Sequence, residues 1–250
     1  MNILILMAGE SSDFAEKGYK YPKYLIELHN KPIIQRIIDS LQNLSKNVTC
    51  IIRKQEQEQF YLGDTLKILS PNCNIIETND KTKGAVCTAL FAIDRINNNE
   101  ELLILNGDQF IKSDIKPAIE DFRRRNLDGG IITMEAVNPK YSTVLLDENN
   151  LVIQTSEKRP ISRIASTGCT YYKHGSDFVE AAFSVIEKDV NTQDNYYISS
   201  TYNEMILKQK KIGVYQIPKK DYISFSTYQM YENYLSQNRF QTIGEKPQND

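Results

Sequence analysis

Two stretches of the chain carry residue types that act on phosphate. The first is Leu6-Met7-Ala8-Gly9-Glu10-Ser11-Ser12, an apolar run that breaks at a glycine, followed by Pro22-Lys23-Tyr24-Leu25. A glycine directly after a buried strand lets backbone N–H groups approach a phosphate or a base edge. A lysine fixed by the proline before it can return to the same place as a point positive charge. The bland alternative is a tight turn and a surface lysine, which accounts for Gly9 alone but not for the whole spacing. The second stretch is Asn106-Gly107-Asp108, which ends the apolar run Leu102-Leu103-Ile104-Leu105. Such an exit from a buried strand is where a parallel sheet places its ligands, although a turn or helix-capping aspartate would look the same. Farther on, Glu157-Lys158 sets an acceptor beside a cation, or is simply a solvated charge pair.

The elements that must position these residues alternate. Apolar runs at Asn2 to Met7, Val48 to Ile52, Asn74 to Glu77, Leu102 to Leu105 and Gly129 to Met134 read as strands. Between them, Pro32 to Leu41, Ala85 to Ile96 and Ile115 to Arg125 have helical spacing, with Pro32 in a first turn where its missing N–H costs nothing. Glu10 to Lys23 is too irregular for a helix. This alternation predicts an α/β fold with a parallel sheet and helices on both faces, and ligands beyond the C-terminal strand ends. The second half predicts a hairpin, Ser142 to Leu146 and Val152 to Ser156 around Asp147-Glu148-Asn149-Asn150. Strands at Thr167 to Lys173 and Gly213 to Ile217 follow, with helices at Asp177 to Glu187, Ser199 to Gln209 and Tyr228 to Asn238. No composition shift marks a linker. We expect one domain over 1–240, with a nucleotide-binding half at 1–135 and an acceptor-binding half at 136–240, and a polar tail at 241–250.

Composition narrows the classes. The 250 residues are 40% hydrophobic and 25% charged, ordinary for a globular chain. Thirty basic against 32 acidic residues leave a net charge of −2, which offers no electrostatic footprint for nucleic acid or anionic lipid. No apolar run reaches the roughly 18 residues of a spanning helix, and no basic stretch precedes Ile3, so neither a membrane span nor a signal peptide is expected. Cys50, Cys73, Cys87 and Cys169 form no C-x-x-C, and His29 and His174 cannot complete a zinc site. A cytoplasmic protein with reduced thiols is expected, its two histidines on the surface without a catalytic task. The fifteen tyrosines read as packing, and Arg123-Arg124-Arg125 as a complement to a helix dipole.

Met7-Ala8-Gly9 through Pro22-Lys23-Tyr24-Leu25-Ile26, then Asn30-Lys31-Pro32-Ile33-Ile34, resembles the opening of the sugar-phosphate nucleotidyltransferases (sugar-nucleotide pyrophosphorylases). That opening has the form A-G-x-G-x-R, a spacer, P-K-x-L and then G-K-P with a helix. The likeness continues in order through Lys83-Gly84-Ala85-Val86-Cys87-Thr88, Asn106-Gly107-Asp108, Ser156-Glu157-Lys158-Arg159-Pro160 and Thr167-Gly168-Cys169. Within the family it resembles short bacterial members of capsule and lipopolysaccharide pathways, with Ser11-Ser12 in place of the second glycine. The resemblance implies a Rossmann-like, mixed, mostly parallel sheet flanked by helices (GT-A-like). It also implies transfer of a nucleotidyl group from a nucleoside triphosphate to a sugar or polyol phosphate, with Mg²⁺ as cofactor, for surface polysaccharide synthesis. On it, Lys23 and Asp108 are catalytic and Asp108 holds the metal. Met7, Ala8, Gly9, Glu10, Ser11, Thr82, Gly84, Ala85, Asn106 and Gly107 border the nucleotide. Glu157, Lys158 and Gly168 hold the acceptor.

The departures raise expectations of their own. Asp13 stands where the family has an arginine for the triphosphate, so Asp13 is expected to turn outward or to pair with Lys17 or Lys20. Ser224 aligns with the family's second metal aspartate, and Asp221 is a candidate replacement; Ser142 stands where many members have a glycine. Two rival readings stay open: a glycosyltransferase, weakened by Asp108-Gln109-Phe110 lacking a D-x-D, and a catalytically weakened nucleotide or sugar-phosphate binder. The base, the acceptor and the oligomeric state are open as well.

Overall fold

The computed structural model of the protein describes residues 1–28, 30–45, 47–79 and 81–244, with side chains through 237. His29 and the residues after 244 lie outside the described residues, and with them the expectation for His29 and most of that for the tail. In chain order the strands are β1 (Asn2–Met7), β2 (Glu27–Leu28), β3 (Lys31–Pro32), β4 (Val48–Arg53), β5 (Asn74–Thr78), β6 (Leu102–Asn106), β7 (Gln109–Ile111), β8 (Gly129–Glu135), β9 (Thr143–Leu146), β10 (Val152–Ser156), β11 (Ile164–Tyr172), β12 (Ile212–Gln216) and β13 (Tyr222–Ser224). The helices are α1 (Ser12–Glu16), α2 (Ile33–Leu41), α3 (Lys54–Phe60), α4 (Leu62–Leu69), α5 (Ala85–Leu90), α6 (Ile93–Ile96), α7 (Lys116–Arg124), α8 (Gly175–Glu187), α9 (Ile198–Leu207) and α10 (Tyr228–Gly244).

The central sheet is mixed and mostly parallel in its first half. β1 lies between β6 and β4, parallel to both, and β5 extends the row beyond β4. β11 joins β6 antiparallel and brings the second half alongside: β8 and then β12 on one branch, β9 and β10 on the other. Because successive side chains of a strand point to opposite faces, β1 feeds two cores. Ile3, Ile5 and Met7 join the cluster that holds α2 residues Ile33, Ile34, Ile37, Ile38 and Leu41. Leu4 and Leu6 join the one that holds Val86 and Ala89 of α5 and Phe178, Ala181 and Ala182 of α8. Burying each such aliphatic side chain contributes roughly 1.5–3 kcal/mol, so a run without a polar residue from Ile3 to Met7 fits only a strand covered on both sides.

Three local expectations are corrected. Glu10 to Lys23 is not wholly irregular: Ser12–Glu16 form α1, and Lys23–Leu25 form a 3-10 turn. The helical period over Ala85 to Ile96 is real, but the segment breaks at Phe91-Ala92 into α5 and α6. α10 runs past Asn238 to Gly244. Arg123 sits in the last turn of α7 and also binds Glu101 with its Nε and Nη2, at 2.7 and 2.6 Å. The tyrosines do pack: Tyr172 and Tyr202 stack with centroids 4.9 Å apart. No helix among the described residues is long and apolar enough to cross a membrane.

Candidate active site

The register of β1 and β6 builds the site. Leu6 stands opposite Asn106, and the Gly107 amide donates to the Leu6 carbonyl at 2.9 Å. Ala8-Gly9 and Gly107-Asp108 therefore leave the sheet side by side. A Cβ at Gly107 would come within 2.5 Å of the Met7 Cγ, which is why this strand exit needs glycine. The 3-10 turn at Lys23–Leu25 folds back over this crevice. The Tyr24 hydroxyl donates to the Gly9 carbonyl at 3.2 Å, and the Lys23 amide donates to Ser11 Oγ at 3.3 Å.

Lys23 Nζ then lies 2.8 Å from Asp108 Oδ2. Both residues are buried, at 4% and 8% exposure. Unlike the surface lysine of the bland alternative, Lys23 is carried inward by the turn, where it neutralises a carboxylate that would be costly alone. The negative charges of Asp108 and Glu56, after burial itself, hold the Tyr24 phenol well above its ordinary range. Glu56, on α3, is 5% exposed, and its Oε2 has no hydrogen-bond partner. Burial raises its carboxyl from 4.5 to about 7, although Arg53, Lys23 and the Ser11 hydroxyl favour the charged form. Glu56 and Arg53 have no motif, and only the geometry of β4 and α3 reveals them.

Asp13 pairs with neither Lys17 nor Lys20. Its Oδ2 accepts from the Tyr228 amide at 2.7 Å and its Oδ1 from its neighbour Phe14 at 3.1 Å. The carboxylate thus caps the first turn of α10, where unsatisfied N–H groups and the helix dipole favour an anion. Phe14, Tyr19, Tyr228 and Tyr231 interlock around it, with centroids 5.6 to 6.3 Å apart. Asp221 does not replace Ser224. In the ribbon of β7 and β13, Ser224 stands opposite Gln109, next to Asp108, whereas the Asp221 carbonyl receives the Lys112 amide at the far end. At about 3.3 Å per residue, those three positions put Asp221 roughly 10 Å farther along.

Glu10 forms an exposed ion pair with Lys81 at 3.3 Å. Thr82 Oγ1 bonds both the Gly84 carbonyl, at 3.2 Å, and Thr88 Oγ1, at 2.5 Å. Gly84 has φ +98° and a hypothetical Cβ 2.5 Å from the Tyr196 carbonyl oxygen, so its missing side chain makes room for backbone from the second half. Next to it, Ala85 reaches the wall of a cavity of about 260 Å³ that also touches Asn106, Gln109, Ser142, Glu157, Ser166, Gly168 and Tyr197. Glu157 accepts from Ser199 Oγ at 3.0 Å; burial raises its carboxyl, opposed by the Ser199 and Ser142 hydroxyls and by Lys158. Gly168, at φ +80°, lets Gln109 Oε1 close to within 2.3 Å of where a Cβ would be. Lys158 stands apart from this wall: Nζ donates to Gln193 Oε1 at 2.5 Å and lies 5.3 Å from the Tyr197 ring centroid. The lysine in the wall is Lys140, which no motif marks.

For a divalent cation, the donor set is one carboxylate, Asp108, with no group of three potential ligands among the described residues. Mg²⁺ commonly takes one or two carboxylates and completes its shell with water and substrate phosphates. Asp108, whose Oδ2 takes the Lys23 ion pair, fits that mode of binding.

Parallel strands, a glycine exit, and a lysine–aspartate pair at the mouth of the sheet define a phosphate-handling α/β site. The chain belongs to the Nucleotidyl transferase family, whose sequence profile matches residues 3–222. It is similar to the bifunctional protein GlmU of Methanocaldococcus jannaschii, 27% identical over 220 residues, 86% of this chain and 49% of that protein. It is also similar to the low-salt glycan biosynthesis nucleotidyltransferase Agl11 of Haloferax volcanii, 24% identical over 194 residues, 75% of this chain and 52% of that protein. The chain spans about half the length of the curated relatives it matches. The fold is that of a nucleoside-diphosphate-sugar pyrophosphorylase from Vibrio cholerae, with TM-score 0.82 and 23% identity over 95% of this chain and 100% of that one. It is also that of the CTP:phosphocholine cytidylyltransferase LicC of Streptococcus pneumoniae, with TM-score 0.72 and 14% identity over 95% and 98%.

Proposed function

We propose that this chain transfers the nucleotidyl group of a nucleoside triphosphate to a sugar or polyol phosphate and releases pyrophosphate. The observation that carries the reading is the buried Lys23–Asp108 pair between the β1 and β6 exits, with the 260 Å³ cavity lined by Asn106 and Gln109 beside it. In this reading the triphosphate lies along Ala8 to Ser11 and the base near Thr82, Gly84 and Ala85. The acceptor occupies the cavity, its hydroxyls meeting Glu157 and the backbone at Gly168. An acceptor phosphate oxygen forms a bond to the α-phosphorus while the bond to the bridging oxygen breaks, and pyrophosphate leaves in line. The attacking oxygen is already ionised, so no general base is required, and the protein contributes positioning and charge. Lys23 has three donors and can reach a phosphate oxygen while keeping Asp108. Asp108 would hold Mg²⁺, which supplies charge neutralisation on the phosphates.

The placement of Asp13 supports an active enzyme over a weakened binder. The carboxylate that would have repelled the triphosphate is bound to α10. We place the reaction in the cytoplasm and its product in surface polysaccharide assembly, a reading supported by the glycan role in the name of the Haloferax relative. The test is pyrophosphate release with Mg²⁺ across ATP, CTP, GTP, UTP and dTTP, each against a panel of sugar and polyol phosphates. Release with one triphosphate–acceptor pair, lost in Asp108→Asn, is expected; hydrolysis of a nucleotide-sugar instead, or full turnover in Asp108→Asn, overturns the reading.

A further inference from the structure

A second cavity, of about 560 Å³, opens beside the acceptor cavity and shares Lys140, Tyr141 and Tyr222 with it. Its lining holds four lysines, Lys112, Lys140, Lys219 and Lys220, and no aspartate or glutamate among the described residues. None of the four is in an ion pair among the described residues, whereas Lys23, Lys188 and Lys210 pair with Asp108, Glu204 and Asp177. The backbone fixes three of them. Lys112 directly follows β7 and donates its amide to the Asp221 carbonyl at 2.8 Å; Lys219 and Lys220 lie on the 3-10 turn that leads into β13. Lys140 Nζ sits 4.8 Å from the centroid of Tyr141, whose ring meets Tyr222 edge-on at 6.0 Å. Like charges gathered on one wall repel each other, and such a wall lowers its energy by concentrating anions. The triphosphate does not account for it, since the β1 exit loop contributes nothing to this lining.

We propose that this cavity receives a second anionic group on the acceptor, so that the preferred acceptor is a phosphate ester carrying a further phosphate or carboxylate. The inference rests on the nucleotidyl-transfer reading for the identity of the acceptor cavity. Ammonium groups bind such anions as point charges, with little demand on geometry, so a phosphate and a carboxylate are both accommodated.

The test is equilibrium binding by calorimetry at 50 mM NaCl, with glucose 1-phosphate, glucose 1,6-bisphosphate and glucuronic acid 1-phosphate as probes. The wild-type chain is expected to bind at least one doubly anionic probe tenfold or more tighter than glucose 1-phosphate. The combined variant Lys112→Ser, Lys219→Ser and Lys220→Ser, which leaves Lys140 and the acceptor cavity intact, should keep its affinity for glucose 1-phosphate and reduce that preference to less than threefold. Should that variant not fold, 300 mM NaCl must reduce the wild-type preference in the same way, since exposed charges are screened. Equal affinity of the wild type for all three probes, or a preference untouched by the substitutions or by salt, overturns the proposal. Binding to phosphatidylglycerol vesicles that the lysine substitutions abolish, with the three probes indistinguishable, overturns it in favour of a membrane surface. Failure of the nucleotidyl-transfer reading shows separately: the doubly anionic preference would stand while no triphosphate releases pyrophosphate with any probe.

Discussion

Glu56 offers the most quantitative test of the structure. Its carboxyl is 5% exposed, carries a buried Oε2 without a partner, and is raised by burial from 4.5 to about 7. A carboxyl raised in the folded state favours folding while it is protonated. That stabilisation is present in full below about pH 4.5 and is lost as pH rises through about 7. At 1.36 kcal/mol per pH unit, the rise corresponds to about 3 kcal/mol between the two ends of the window. Glu56→Gln keeps the shape and removes the charge. At pH 8 it should therefore be more stable than the wild type by about 2 kcal/mol, once the amide's own unpaired N–H is allowed for. For a chain of this size that is roughly 4–8 °C in Tm. Near pH 4.5, where Glu56 is protonated, only the amide's cost remains and the variant should be the less stable by about 1 kcal/mol. The chain has no tryptophan, so urea unfolding followed by far-UV circular dichroism at half-unit pH steps is the appropriate assay. Because other groups titrate identically in both proteins, the difference curve isolates Glu56. A constant difference from pH 4.5 to 8, or a variant less stable at pH 8, would refute the assignment of an uncompensated buried acid.

Lys23→Met should destabilise the chain by about 3 kcal/mol, because it strands the buried Asp108 carboxylate. Combining it with Asp108→Leu should recover part of that loss, and additive losses in the double-mutant cycle would deny the ion pair. Asp13→Ala should cost about 1 kcal/mol through the lost cap on α10 while Asp13→Asn costs less, as read from denaturant midpoints. A tenfold gain in kcat/KM for the triphosphate in Asp13→Arg would instead show a vacant arginine position. Gly84→Ala should cost on the order of 2 kcal/mol, because its φ of +98° and the Tyr196 backbone both reject a Cβ; an unchanged Tm would contradict that fit.

The sheet was legible because its strands are runs of apolar residues covered on both faces, a pattern that no solvent-exposed element tolerates. Leu102 to Leu105 ending in Asn106-Gly107-Asp108 is the clearest case, and the structure puts that exit beside Ala8-Gly9. The small elements were not legible. α1 has five residues and a single buried side chain, Phe14, too few for a period to show. The pairing of Asp13 with Tyr228 spans 215 positions and depends on how α10 returns to the first loop, which no local pattern encodes. Lys23 illustrates the same limit in reverse. Its motif marked a functional lysine, but its burial comes from Tyr24 anchoring the turn to Gly9. The four lysines of the second cavity are scattered between positions 112 and 220 and converge only through the β7–β13 ribbon and the loop before β9.

These placements together fix how charge is distributed around the crevice. Lys23 is committed to Asp108, and Glu56 sits uncharged or charged according to pH beside Lys23 and Arg53. Asp13, the acid that seemed to oppose a polyphosphate, is instead consumed by a helix terminus. The crevice therefore holds Lys23 and Arg53 against Asp108 and, above about pH 7, Glu56, a near balance; on the proposed reading, a cation at Asp108 would meet much of a polyphosphate's charge. At the second cavity the balance is absent: Lys140 and its three neighbours line it without an ion pair among the described residues. The motifs reach the crevice and, through Glu157 and Gly168, the wall of the 260 Å³ cavity, but they contain none of these four lysines. On the proposed reading, the preference among acceptors is set by charges that the motifs do not contain.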